Sequence, residues 1–79
     1  MTFNKFCETM FSLLEREAVK VSETTSLRDD LDVDSLQMVN LTSSLADHYQ
    51  TPFNLFIVNA GKLETVGGLY EIVNEGASR

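Results

Sequence analysis

Leu31-Asp32-Val33-Asp34-Ser35-Leu36 is the stretch that decides how this chain is read. It closes an acidic turn, and the residues after it switch to helical spacing. Met38, Leu41, Thr42, Leu45 and Tyr49 recur at three- and four-residue steps, the stripe of an amphipathic helix and not the alternation of a strand. Asp34 suits the N-cap: its carboxylate accepts from an otherwise unpaired amide, and its charge opposes the positive helix end. A helix is expected over about 35–49, with Ser35 at its entrance, within reach of a modifying enzyme.

The same serine has nothing nearby in sequence to activate it. There is no Gly-x-Ser-x-Gly elbow, and the one histidine, His48, lies on the same helix, roughly 19 Å further along its axis at 1.5 Å per residue. A hydrogen bond between the two is impossible, so Ser35 is read as acted upon rather than acting. Gln37, Asn40, Ser43, Ser44 and Asp47 project away from the inward stripe. Leu36 and Val39 fall beside it, either as boundary packing or as an apolar contact for a partner.

Upstream, 19–34 reads as a long polar connection interrupted by Leu27 and Leu31, whose spacing allows one short helical turn that pins the loop to the core. Before it, Phe3, Phe6, Cys7, Met10, Phe11, Leu13 and Leu14 make a broad helical stripe, so a first helix is expected over about 3–16 with Thr2 as N-cap. Downstream, Pro52 closes the central helix. The apolar run 53–58 would have no partner as a strand, so a short helix over about 55–60 is expected, with Asn54 as cap and Gly61 just past the end. A last helix is expected over about 66–74, capped by Thr65, with Val66, Leu69, Tyr70, Ile72 and Val73 inward and a frayed tail at 75–79. Gly67 and Gly68 weaken it by up to about 1 kcal/mol each relative to Ala, and allow a neighbouring backbone to come close. The fold class is all-α: three main helices plus one short one, in a single domain spanning 1–79.

Composition narrows the function. Seventy-nine residues with 43% apolar content support one small core and leave little room for a deep catalytic pocket. The formal charge is −6, and no Lys or Arg lies between Arg28 and Lys62, whereas Asp29, Asp30, Asp32, Asp34 and Asp47 do. Such a region repels a phosphate backbone, which argues against nucleic-acid binding, and attracts a basic protein surface. Cys7 is the sole cysteine, so no intrachain disulfide is available, and its place on an apolar stripe suits a buried thiol. No secretory leader or membrane span is read, Met1 favours a free-standing chain, and a cytoplasmic monomer is expected. Asp30, Asp32 and Asp34 have the one-three-five spacing of a calcium loop. The sixth and twelfth positions are Ser35 and Leu41, where Gly and Glu are needed, so no metal site is assigned.

With these residues in place, Leu31-Asp32-Val33-Asp34-Ser35-Leu36 resembles the attachment site of acyl carrier proteins, written Leu-Gly-x-Asp-Ser-Leu. The likeness extends over most of the chain, through Leu27 and Leu31, then Leu41, Leu45 and Tyr49, then Thr65-Val66. It implies a bundle of three main helices and one short one, without catalytic residues. It further implies that a phosphopantetheinyl transferase moves 4′-phosphopantetheine from coenzyme A to Ser35, with Asp34 near the transferase's magnesium. The arm would carry acyl groups as thioesters to acyl-loading and acyl-processing enzymes. Two departures stand out. Asp32 replaces the usual Gly, which would allow a positive φ that Asp tolerates less well. The central helix also holds fewer acids than fatty-acid carriers show, which points to a specialised fatty-acid, polyketide or related secondary-metabolite pathway, with Leu36, Gln37, Met38, Val39, Asn40 and Asp47 in partner recognition. The alternatives are a peptidyl or aminoacyl carrier, and an unmodified acidic helical adaptor.

Overall fold

The computed structural model describes residues 2–77. Its elements are α1 (Phe3–Leu13), α2 (Ser35–Tyr49), α3 (Phe53–Val58), a 3₁₀ segment (Ala60–Glu64) and α4 (Val66–Ala77). The described residues hold no β-strand, only one isolated bridge between Ser26 and Thr65. The expected all-α fold of three main helices and a short one is borne out.

The periodic apolar residues meet as one core. Phe6 and Met10 of α1, Leu45 of α2, and Val66, Leu69, Ile72 and Val73 of α4 are fully buried. Phe11, Leu41 and Phe56 are nearly so. Aromatic rings tie the three long helices together: Phe6 lies 6.1 Å from Tyr49 and 5.6 Å from Tyr70, and Phe3 meets Tyr70 edge-on at 5.5 Å. Such edge and tilted pairs add to the area that their burial removes from water.

The long connection is anchored at both of its expected leucines, Leu27 buried and Leu31 packed against the core at partial exposure. Its backbone is also paired with the start of α4. Leu27 N–H donates to Glu64 O, Val66 N–H to Thr25 O and Gly67 N–H to Glu23 O, at 2.9 to 3.0 Å. Gly67 makes this junction possible, and Gly68 lets the 3₁₀ segment lie against α4. A Cβ on Gly67 would stand 2.7 Å from Glu23 O, and one on Gly68 only 1.8 Å from Lys62 O. Thr65 caps α4 as expected, its hydroxyl accepting from Gly68 N–H at 3.0 Å.

Several helix ends differ from the periodicity. α1 stops at Leu13, not 16: Glu15 adopts φ 57°, its N–H returns to Ser12 O, and Arg16 N–H returns to Phe11 O at 3.0 Å. That paired reversal is a Schellman turn with Glu where Gly is usual, so no residue announced it. α3 starts at Phe53, with Pro52 as its N-cap (φ −56°, ψ 126°), where the ring leaves no N–H unpaired. Asn54 therefore makes no cap. Asn59 closes the far end, its side-chain amide donating to Leu55 O at 2.8 Å, and Gly61 falls inside the 3₁₀ segment. α4 continues through Ala77, so the tail expected to fray from 75 is helical that far, and 78–79 lie outside the described residues.

Candidate functional site

Ser35 is the first residue of α2 and is exposed. Among the described residues no hydrogen bond engages its hydroxyl. The turn that presents it is built by a reciprocal capping box. Asp34 Oδ1 accepts from Gln37 N–H at 2.8 Å, and Gln37 Oε1 accepts from Asp34 N–H at 3.2 Å. Two of the helix's otherwise orphaned donors are thereby satisfied.

Behind this box lies Arg16, just past the end of α1. Arg16 donates from Nη1 to Leu31 O and from Nη2 to Asp32 O at 3.2 Å and Gln37 Oε1 at 3.0 Å. Asp32 itself is left-handed, with φ 54°, so the backbone conformation that glycine would favour is kept by an aspartate. Val33, next in line, is buried and turns inward, its N–H donating to Leu27 O at 2.9 Å. The alternation of buried Val33 with exposed Asp32 and Asp34 could have been seen in the sequence. The role of Arg16 could not, because it depends on where α1 ends.

The acidic spacing has a local explanation. Asp30 Oδ2 accepts from Ser26 N–H at 2.7 Å, closing the loop turn, and Asp34 caps α2. Among the described residues no group of three or more His, Cys, Asp or Glu converges as metal ligands. His48 is exposed and rests edge-on against Tyr49, at the opposite end of α2 from Ser35. Cys7 is half-buried, and burial pushes its thiol pKa up, away from the reactive thiolate.

Two grooves run along α2, and Ser35 lines the first. One, of about 560 Å³, runs between the loop, α2 and the 3₁₀ segment, past Ser26, Leu27, Arg28, Asp34, Ser35 and Leu63. The other, of about 340 Å³, separates α2 from α3 and is lined by Met38, Val39, Thr42, Phe53, Phe56 and Ile57, with Ala60 and Leu63 below. Its one polar lining group is satisfied: the Thr42 hydroxyl lies 3.0 Å from both Met38 O and Val39 O, to which it can donate. Of its lining, Val39 is 58% exposed, Phe53 45% and Ile57 62%; Leu36 and Val58, outside the lining, are 70% and 64% exposed. Asn40 and Asp47 are exposed on α2, Asp47 toward its far end, whereas Gln37 is half-buried by its bonds to Asp34 and Arg16. Phe53, Ile57 and Val58 escaped the site reading because five of the six residues over 53–58 are apolar, and Asn54 alone does not mark an outer face.

An uncommitted serine hydroxyl at a capped helix entrance, on the lining of an open groove, is suited to carry a covalent group. The position also favours a phosphodiester, since the helix N-terminus is the positive end of its dipole. No solved structure gives a significant match to the chain. Residues 4–73 match the family described as phosphopantetheine attachment site, whose non-catalytic carrier domains interact with modifying and acyl-processing enzymes. The match takes in nearly the whole helical bundle, and the chain belongs to this family, which carries covalently attached 4′-phosphopantetheine.

Proposed function

We propose that this chain is an acyl carrier protein in which Ser35 is the attachment residue. Loading joins Ser35 Oγ to the phosphorus of the phosphopantetheine half of coenzyme A. The pyrophosphate bond breaks, adenosine 3′,5′-bisphosphate leaves, and the serine proton passes to a base of the transferase. Once attached, the group supplies a terminal thiol on which an acyl chain is held as a thioester. The chain's own residues supply presentation. Asp34 caps the helix that carries Ser35 and faces the transferase's magnesium. The capping box fixes the first turn, and the exposed hydroxyl is free to be taken. That exposed, unbonded hydroxyl at the start of α2 is the observation that carries the reading.

The α2–α3 groove supports an acyl rather than an aminoacyl cargo. Its lining is apolar, its one hydroxyl is satisfied within α2, and it offers no carboxylate to an ammonium group. Leu36, Val39, Asn40, Phe53 and Ile57 around it form the surface for acyl-loading and acyl-processing enzymes, with Gln37 setting its edge and Asp47 adding a charge further along α2. Four neutral polar residues on that helix, Gln37, Asn40, Ser43 and Ser44, favour partners that read shape and apolar contact over charge. This supports a specialised fatty-acid, polyketide or related secondary-metabolite pathway. The carrier is further proposed to work as a single monomeric domain in the cytoplasm.

Incubation with coenzyme A, magnesium and a phosphopantetheinyl transferase should raise the intact mass by about 340 Da, the mass of the group added through a serine oxygen. Peptide mapping should place the addition on Ser35. Addition at another residue, or none with any transferase, would refute the assignment.

A further inference from the structure

We infer that Arg16 is a positioning residue for the modification of Ser35: it holds the loop and the capping box in the geometry from which the hydroxyl reacts. This rests on Ser35 being the residue modified.

The Schellman turn at the end of α1 is what delivers the side chain. With Glu15 left-handed and Arg16 N–H returned to Phe11 O, the chain reverses, and Arg16 leaves the axis of α1 half-buried against the acidic loop. Its guanidinium then meets acceptors 15, 16 and 21 residues away: Leu31 O, Asp32 O and Gln37 Oε1. Among the described residues no carboxylate pairs with it. Its charge is therefore directed entirely onto neutral oxygens, and hydrogen bonds with one charged partner are about twice as strong as neutral ones.

Each bond has a consequence for Ser35. The bonds to Leu31 O and Asp32 O fix two successive carbonyls on either side of the left-handed Asp32, a conformation that an aspartate adopts less readily than a glycine. The bond to Gln37 Oε1 decides which way the Gln37 amide faces. A cation beside it draws the oxygen inward, and that same oxygen is the one that accepts Asp34 N–H at 3.2 Å. Turned the other way, the amide would present a donor to a donor, and half of the capping box would fail. Arg16 thus orients Gln37, Gln37 and Asp34 orient the first turn of α2, and the first turn aims Ser35. The planar fork suits this work, because it offers several donors in fixed directions from one group.

Positioning and docking separate kinetically. A group that aims the nucleophile contributes after the complex has formed, so its loss falls on kcat; a group that docks the transferase shows in KM. Arg16→Met keeps the length of the stem and removes every donor. With transferase and coenzyme A, it should lower kcat for loading about tenfold and change KM for the carrier less than about twofold. Gln37→Met should act on the same chain of bonds, so the double variant should lose little more than either alone. Wild-type kcat in Arg16→Met, a loss confined to KM, or additive losses in the double variant would overturn the inference.

A second readout needs no loading. Amide hydrogen exchange of Asp34 and Gln37 in the apo-protein should be about tenfold faster in Arg16→Met, while amides in α4 keep their rates. Unchanged exchange at both amides overturns the inference. If no transferase loads even the unaltered chain, the assignment of Ser35 fails instead, and faster exchange would still support the clamp.

Discussion

The entrance of α2 and the helix α3, which packs further along α2, are held by different forces. At the entrance, directional bonds do the holding: the capping box between Asp34 and Gln37, and the three bonds from Arg16 behind it. α3 has six residues, no side chain capping its start, and two anchors in the core, Leu55 and Phe56. Its outer side is Phe53, Ile57 and Val58, all exposed. A helix this short is not stable by itself and depends on its packing. Apolar packing is nearly indifferent to angle, whereas hydrogen bonds are not. The arrangement gives a reacting group a fixed bearing and leaves an apolar partner or chain a surface that can adjust.

The largest effect that can test this contrast is Ser35→Ala. It should abolish loading completely and leave the fold alone, because the hydroxyl is exposed and makes no bond among the described residues. Its thermal midpoint should stay within about 3 °C of the parent, the range for a surface change in a domain of this size. Phe56→Ala should do the reverse. The buried ring anchors α3, and its loss should cost about 3–5 kcal/mol in urea melts, against about 1 kcal/mol for removing the cap with Asp34→Ala. If the cap proved the costlier of the two, α3 would not be the part that depends on the core.

A smaller effect probes the outer side of α3. Ile57→Asp places a charge where the side chain is already largely exposed, so stability should change by less than about 0.5 kcal/mol. Affinity for an acyl-processing enzyme should nonetheless fall about tenfold, as measured by titration calorimetry with the loaded carrier, because a carboxylate would be buried unpaired in an apolar contact. Unaltered affinity would move the partner surface away from α3.

The same contrast explains what could be read from the sequence. The entrance of α2 was legible at Asp34, because capping chemistry is local and the stripe from Met38 to Tyr49 follows at once; Gln37, placed on the outward face, instead completes the box, and that half was not read. The core positions of α1 and α4 were legible from period alone. Arg16 was not, since its partners lie in another part of the chain and its reach depends on a reversal at Glu15 that no glycine marked. α3 was misplaced by two residues for a related reason. Its run has a single polar residue, Asn54, which suggested a cap it does not make, and the decisive signal was Pro52 immediately before the helix. The pairing of the loop with α4 was only hinted at, by Gly67.

The finest test concerns Asp32, where backbone and charge act at the same residue. Its φ of 54° is strained for any residue with a Cβ, by roughly 1–2 kcal/mol for most and less for Asp or Asn. Asp32→Gly relieves that strain but loosens the unfolded chain by about 0.5–1 kcal/mol, so the two nearly cancel, and urea melts should shift by less than about 1 kcal/mol. Asp32→Asn keeps the tolerance for this conformation and removes only the charge. Both variants should therefore load faster than the parent at low salt, because one anion fewer stands near Ser35 as the anionic coenzyme arrives. The gain should vanish near 1 M salt, where charges are screened beyond about 3 Å. If Gly alone speeds loading, and does so at every salt concentration, the backbone of this turn limits the reaction and the directional bonds at the entrance are under strain. If Gly and Asn behave alike, those bonds already hold the turn where it needs to be, and the acidic residue costs only encounter rate.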